Sequence, residues 1–121
     1  MKKNIHFIGI GGIGISALAK YYLKKGWQVF GSDLAASEIT LQMQNLGAKI
    51  HIGKPKASLI TRETNKVVFS PAVQKNHPER IAARKNKIEE LSYPEALGQL
   101  TKEHYTIAVS GTHGKSTTTA M

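Results

Sequence analysis

A glycine-rich turn close to the N-terminus constrains the fold more than any other feature of this sequence. Gly9, Gly11 and Gly14 fit the pattern G-x-G-x-x-G, which joins a strand to a helix in nucleotide-binding domains. An apolar run, residues 4–8, precedes the turn, and apolar residues at helical spacing follow it as far as Gly26. Glycines in such a turn let backbone N–H groups approach a diphosphate, whose charge the helix N-terminus stabilises. The sequence therefore predicts a phosphate-binding turn between a first strand and a first helix.

The same alternation of strand and helix continues along the chain. Short apolar runs predict further strands at residues 27–30, 49–52, 67–70, 88–91 and 105–109. Helical spacing predicts helices after Ser37, within residues 55–61, from Pro78 and within residues 94–100. In the helix that starts at Pro78, Ile81 and Ala82 are expected to form the apolar side. This alternation favours an α/β fold, namely a Rossmann-like, doubly wound, mainly parallel sheet with helices on both faces.

Composition excludes several classes of protein. A chain of 121 residues holds one domain, with room for a few residues of a second. Cysteine is absent, which excludes a disulfide framework, a thiolate metal site and a cysteine nucleophile, and fits a cytoplasmic protein. No apolar segment reaches the roughly 18 residues that a membrane span needs. The glycines of the first turn also interrupt the apolar stretch that a secretory signal peptide requires.

The chain is strongly basic, with a net charge of +9 from 17 Lys and Arg against 8 Asp and Glu. Most of this excess lies between Lys49 and Lys87, where basic residues are scattered singly among few aromatic ones. We therefore expect a solvated basic surface with neither nucleic acid nor a membrane as partner. A nucleic-acid-binding module is a third hypothesis that rests on charge alone.

An acidic residue follows the glycine turn at a spacing that suits nucleotide binding. Asp33 ends the second predicted strand about 20 residues beyond the turn, where a carboxylate could reach a ribose hydroxyl. The glycine pattern and Asp33 together leave open an NAD(P)-binding domain of an oxidoreductase.

A second phosphate-binding motif lies near the C-terminus. After the strand predicted at residues 105–109 comes a run that we interpret as an ATP-binding loop, Gly111, Thr112, His113, Gly114, Lys115, Ser116 and Thr117. Lys115 would place its charge on the outer phosphates, and the Ser116 or Thr117 hydroxyl could ligate Mg²⁺. Val109 stands where the common G-x-x-x-x-G-K-[ST] form has its first glycine. A dehydrogenase has no use for this second loop, which disfavours the oxidoreductase hypothesis.

Taken together, these motifs resemble the N-terminal part of the Mur ligases. The resemblance runs in register over essentially the whole chain and rests on residues 5–16, 31–33, 70–73, 76–79 and 111–115. His113, before the second glycine of the ATP loop, separates this branch from most other members of the family. The sequence departs from the family pattern at Ser116, where threonine is usual, and at Pro71, where serine is frequent. Ser116 keeps the hydroxyl that Mg²⁺ ligation requires.

The resemblance implies a three-domain, ATP-dependent amide-forming ligase of peptidoglycan precursor synthesis. Residues 1–100 would form its Rossmann-like domain for the UDP end of UDP-N-acetylmuramate, and residues 101–121 the first strand and phosphate-binding loop of a central ATPase domain. ATP would phosphorylate the muramyl carboxylate, and the amine of L-alanine would displace phosphate from the resulting acyl phosphate. Lys115 would be the catalytic residue that offsets charge on the transferred phosphoryl group, with Ser116 as the Mg²⁺ ligand. The 121-residue chain alone is expected to bind UDP-N-acetylmuramate weakly and to be inactive.

The resemblance also assigns the glycine turn to the diphosphate of UDP instead of NAD(P). The backbone N–H groups for this diphosphate would come from Gly11, Gly12, Ile13 and Gly14. Two further pairs would line the same crevice at the carboxyl ends of the strands, Ser32 and Asp33 near the ribose or uracil and Ser70 and Ala72 beside them. A related ligase that reattaches recycled peptides to UDP-N-acetylmuramate shares the histidine-containing ATP loop. It remains the alternative within the family, although its first glycine loop usually differs.

Overall fold

The computed structural model describes the backbone of residues 3–111 and the side chains of residues 3–102. The strands of this part of the chain are β1 (Asn4–Ile8), β2 (Gln28–Asp33), β3 (Lys49–Ile52), β4 (Thr64–Phe69) and β5 (Glu89–Ser92). The helices are α1 (Ile13–Lys24), α2 (Glu38–Asn45), α3 (Pro78–Lys85) and α4 (Tyr93–Gly111), and a single 3₁₀ turn spans Ala57–Leu59.

The strands of the described residues lie parallel in one sheet, in the order β3-β2-β1-β4-β5. The chain begins at the centre with β1, moves outward to β3, and then crosses to β4 on the other side of β1. Right-handed connections place α1 and α2 on one face of the sheet and α3 on the other. The expected Rossmann-like, doubly wound fold is confirmed. Its strand order reverses between β1 and β4, the point at which open α/β sheets bind their ligands.

Two apolar clusters cover the opposite faces of the sheet. Strand β1 contributes to both, because successive side chains of a strand point to opposite faces. Ile5 and Phe7 pack with residues of α1 and α2, whereas Ile8 packs with Val67 and the alanines of α3. The side chains of Ile5, Phe7 and Ile8 are at most 2% exposed, and burial of each stabilises the fold by about 1.5–3 kcal/mol. The glycine turn therefore starts from a strand that is held on both faces.

The side of helix α3 that faces the sheet differs from the predicted one. Ala82 is buried as expected, but Ile81 is 46% exposed, so its assignment to the apolar side is wrong. The inward side instead carries Glu79, Ala82 and Ala83. These residues lie three and four positions apart and so share one helix face. The Glu79 carboxylate accepts hydrogen bonds from the sheet, which sets the rotation of the helix.

The last helix contradicts the strand predicted at residues 105–109. Helix α4 extends from Tyr93 to Gly111 and so continues through this segment the helix that was predicted at residues 94–100. A strand satisfies its N–H and C=O groups by pairing, whereas a helix satisfies them internally. The segment has no pairing in the described sheet, and helical hydrogen bonds take its place. The assignment of residues 101–121 to an ATPase domain stays a prediction.

Candidate functional site

A crevice of about 530 Å³ opens at the carboxyl ends of the strands, beside the point where the strand order reverses. Its lining includes four of the residues predicted to bind UDP, Ser32, Asp33, Ser70 and Ala72. These residues follow or end two different strands, and the parallel arrangement brings them together. The other predicted residues, Gly11, Gly12, Ile13 and Gly14, lie in the neighbouring turn and the start of α1. The assignment of all eight to UDP stays a prediction.

The glycine turn is bonded to the end of β2. The amides of Gly9 and Ile10 both donate to the carbonyl oxygen of Ser32, at 2.9 and 3.1 Å. Gly9 has a φ of +82°, and a Cβ built on it would lie 3.3 Å from the Cβ of Ser70. A side chain here would be strained by the backbone conformation and would also crowd the segment after β4. The turn thus holds the ends of β1, β2 and β4 together at the crevice.

Gly11 and Asp33 meet directly in the structure. The Gly11 amide donates to Asp33 Oδ2 at 2.8 Å. A Cβ on Gly11 would lie only 2.7 Å from that oxygen, so glycine is required for this approach. The Asp33 carboxylate therefore already accepts the hydrogen bond that this amide of the turn could donate to a bound anion. Its second oxygen keeps lone pairs with which it can accept a hydrogen bond from a ligand hydroxyl.

The remaining amides of the turn differ in their availability. The Gly12 amide donates to the carbonyl oxygen of Gly9 at 3.1 Å. Ile13 and Gly14 form the first turn of α1, where amides have no acceptor within the helix and can bind an anion. A Cβ on Gly14 would lie 2.9 Å from the Tyr93 ring, which explains this glycine by close packing against α4. Two of the four amides predicted for the diphosphate are thus engaged within the protein.

A buried carboxylate lines the crevice at the start of α3. The Glu79 side chain is fully buried, and its Oε1 accepts hydrogen bonds from Ser32 Oγ at 2.6 Å and from His6 Nε2 at 2.7 Å. Its Oε2 accepts a hydrogen bond from the Lys56 amide at 3.2 Å. Burial raises the pKa of Glu79, but the hydrogen bonds from His6, Ser32 and the Lys56 amide outweigh it and hold the pKa below its ordinary value. Glu79 is therefore ionised at neutral pH and acts only as an acceptor.

His77, which also lines the crevice, caps α3 with its ring. Its Nδ1 accepts a hydrogen bond from the Glu79 amide at 3.1 Å. Burial lowers the pKa of His77; the Glu79 carboxylate opposes this shift, and the charges of His6 and Arg80 add to it. The ring is thus neutral at physiological pH. Because Nδ1 is the acceptor, the ring proton resides on Nε2.

Sequence reasoning assigned no role of their own to Glu79 and His77. An acidic residue just after a proline is an ordinary helix start, so nothing local distinguishes this one. One signal was present in β1, where His6 interrupts an apolar strand. A buried polar side chain requires a hydrogen-bond partner, but that partner lies 73 residues away in the sequence.

Most of the predicted ATP-binding loop lies outside the described residues. Gly111 is the last residue of α4, and the rest of the loop follows it, Thr112, His113, Gly114, Lys115, Ser116 and Thr117. The roles of Lys115 in catalysis and of Ser116 in Mg²⁺ binding stay predictions. Across the part of the chain that the structure describes, no three His, Asp or Glu side chains are arranged to hold a metal ion. Nor does this part contain a helix long and apolar enough to cross a membrane.

Comparison with known sequences identifies relatives along the whole chain. The family described as "Mur ligase family, catalytic domain" matches residues 4–105. The UDP-N-acetylmuramate–L-alanine ligase of Clostridium kluyveri is 48% identical over 120 residues, which make up 98% of this chain and 26% of that ligase. The ligase of the same name from Geotalea daltonii is 44% identical over 119 residues, with the same 98% and 26% coverage. The chain therefore spans about a quarter of the length of these curated relatives.

Solved structures share the fold. The UDP-N-acetylmuramate–alanine ligase MurC of Thermotoga maritima matches with a TM-score of 0.76 and 31% identity, over 83% of this chain and 23% of that one. A UDP-N-acetylmuramate:L-alanyl-γ-D-glutamyl-meso-diaminopimelate ligase of Neisseria meningitides matches with a TM-score of 0.71 and 23% identity, over 82% of this chain and 31% of that one. At that lower identity the second similarity shows the fold alone.

Proposed function

The chain belongs to the Mur ligase family, and we propose that it is the part of an ATP-dependent ligase that binds the UDP end of UDP-N-acetylmuramate, to which the whole enzyme joins L-alanine. The observation that carries the proposal is the crevice at the reversal of strand order, in a chain 48% identical over nearly its whole length to a ligase of that name. Ligands of open α/β sheets bind at this place.

The charges around the crevice support a particular orientation of the nucleotide. Asp33 and Glu79 bring two carboxylates to the lining, and among the described residues that line the crevice there is no lysine or arginine. A diphosphate would be repelled there, whereas the uncharged ribose and uracil would not. The Ile13 and Gly14 amides at the N-terminus of α1 suit the diphosphate. In this proposal the Gly11 and Gly12 amides can also bind the diphosphate, but only if their hydrogen bonds to the Asp33 carboxylate and to the Gly9 carbonyl oxygen break.

ATP and Mg²⁺ enter the proposal through the second motif. Its residues, Gly111–Thr117, would hold the nucleotide, with Lys115 against the outer phosphates and Ser116 on the metal ion. This support comes from the sequence and the family alone. ATP supplies the phosphoryl group that turns a carboxylate, a poor acyl donor, into a reactive one. A cytoplasmic location belongs to the same proposal, because it provides ATP and fits a chain without cysteine.

The first experiment is a titration of the chain with UDP-N-acetylmuramate, UDP, ATP and NAD⁺, followed by backbone amide NMR shifts. We expect the two UDP compounds to shift the signals of residues 9–16 and of Asp33, and NAD⁺ to leave them unchanged. Shifts with NAD⁺ and none with UDP would overturn the proposal in favour of a dinucleotide-binding domain. Alanine-dependent ATP hydrolysis, measured on the complete ligase, tests the proposed reaction.

A further inference from the structure

The Ser32 hydroxyl can act toward a ligand only as an acceptor. It carries one proton, and that proton is donated to Glu79 Oε1 at 2.6 Å. Glu79 is ionised and has no proton to return. Ser32 lines the crevice, so a ligand group that reaches its oxygen meets lone pairs and no proton.

The His77 ring has the opposite polarity. Its Nδ1 is occupied by the Glu79 amide at 3.1 Å, which leaves the Nε2–H group as the donor. His77 is half-buried and lines the same crevice as Ser32. The crevice thus offers one side chain that must accept and one that donates, and both polarities are set by bonds to the same residue.

We propose that Glu79 is a positioning residue that keeps Ser32 an acceptor, and that Ser32 and His77 together select the imide edge of uracil over the corresponding edge of cytosine. Uracil presents an N3–H donor beside carbonyl acceptors, which match an accepting hydroxyl and a donating imidazole. Cytosine presents an N3 acceptor beside an amino donor, and both would face a group of the wrong polarity. A site built to hydrogen-bond one pattern strongly rejects the other, because buried polar groups are left unpaired. This inference rests on the proposed function, since it assumes that a uridine nucleotide enters the crevice.

The test compares the affinities of UDP and CDP, by calorimetric titration, for the 121-residue chain and three variants. We expect the unaltered chain to bind UDP at least about tenfold more tightly than CDP. Ser32→Ala removes the acceptor, and Glu79→Gln introduces an amide that can donate to Ser32; both are expected to reduce the UDP/CDP ratio to below about threefold. Glu63→Gln removes an exposed carboxylate away from the crevice and is expected to keep the full ratio.

The ratio separates positioning from a merely structural role of Glu79. If Glu79 had a merely structural role, Glu79→Gln would weaken the binding of UDP and CDP equally and leave the ratio unchanged, and that result would overturn the inference. Equal binding of UDP and CDP by the unaltered chain would also overturn it, while the proposed function would stand. If neither UDP nor UDP-N-acetylmuramate binds the unaltered chain, the proposed function itself fails.

A second measurement needs no variant, and so stands even if Glu79→Gln does not fold. The ¹⁵N shifts of the His77 ring are expected to report the Nε2–H tautomer in the free chain, and the Nε2–H signal is expected to move on addition of UDP. A ring protonated on Nδ1, or an Nε2–H signal that UDP leaves in place, would contradict the proposed polarity.

Discussion

At Gly11 the backbone comes so close to a carboxylate that a single methyl group no longer fits. The same is true at Gly14 against the Tyr93 ring. The spacing of these glycines matches a phosphate-binding pattern, but the structure gives each of them a separate steric reason. A glycine pattern of this kind therefore reports close packing as well as ligand contact.

Gly11→Ala is expected to lower the free energy of unfolding by about 1–3 kcal/mol, because the methyl group displaces Asp33 and leaves the Gly11 amide without its acceptor. Urea unfolding followed by circular dichroism measures this change. The matched control is Gly98→Ala in α4, where a Cβ meets nothing within 4 Å. It is expected to stabilise the chain by about 0.5–1 kcal/mol, since alanine favours a helix interior. If Gly11→Ala proves as stable as the unaltered chain, the turn accommodates the methyl group without loss of stability.

The His77 cap predicts a pH dependence of stability. The pKa of His77 is lower in the folded chain than its ordinary value of 6.5, so the unfolded chain binds the proton more tightly. The stability that this group contributes is present above about pH 6.5 and is lost as the pH falls through the folded pKa. The corresponding loss at Glu79 begins only below the ordinary carboxylate value of 4.5.

His77→Asn keeps an N-cap acceptor and removes the titrating ring. We expect the unaltered chain to lose more stability than this variant between about pH 7 and about pH 5.5. Urea unfolding at both pH values measures this difference. The contributions of the other histidines are the same in both chains and cancel. Identical pH slopes for the two chains would count against a neutral capping ring.

At the scale of elements, α3 forms one wall of the crevice, and Arg80 is among the residues that join it to the sheet. Arg80 is 9% exposed, and its Nε donates to Glu90 Oε1 at 2.8 Å while Nη1 donates to the carbonyl oxygen of Val73 at 3.1 Å. Its guanidinium carbon also lies 3.7 Å from the centroid of the Phe69 ring. These contacts tie the helix that bears Glu79 to β4 and β5.

Arg80→Ala is expected to destabilise the chain by about 2–4 kcal/mol, because it leaves Glu90 partly buried without this partner and removes the contact with Phe69. UDP affinity is expected to fall as well, since the start of α3 loses its support. Urea unfolding and calorimetric titration measure the two effects. Arg62→Ala, at an exposed arginine, is the control and is expected to change stability by less than about 0.5 kcal/mol. Equal stability of the two variants would show that the contacts of Arg80 do not help to hold α3 on the sheet.

At the scale of the whole molecule, the sheet is protected unevenly. Strand β1 is paired with β2 on one side and β4 on the other, and both of its faces are covered. In the described sheet, strand β3 is paired only with β2, and its residues are half-buried or exposed, with none fully buried. Local opening should therefore be easier at β3 than at β1.

Native-state hydrogen exchange is expected to show the slowest amides in β1, at residues 5–8, and exchange through local opening in β3, at residues 50–52. The ligand crevice would then lie on the most stable strand, which preorganises it. Equal protection of the two strands would mean that the sheet opens as a single unit.

The sequence by itself determined the strand–helix alternation, the glycine turn after β1 and the parallel class of the sheet. These features depend on local patterns, and the bounds of β3 at residues 49–52 and the start of α2 after Ser37 were predicted correctly for that reason. The local pattern at residues 105–109 wrongly predicted a strand, because an apolar β-branched run suits a strand only where a neighbouring strand pairs with it.

Only the tertiary structure decided how the crevice is built. Ser32 lies 47 residues from Glu79, and His6 lies 73 residues from it. A carboxylate becomes buried and ionised only where folding collects enough donors around it to outweigh desolvation. The resemblance to the Mur ligases, together with positions at strand ends, named the residues that would bind a nucleotide. Their hydrogen-bond polarity could not be predicted in this way, because it depends on a partner that is close in space and distant along the chain.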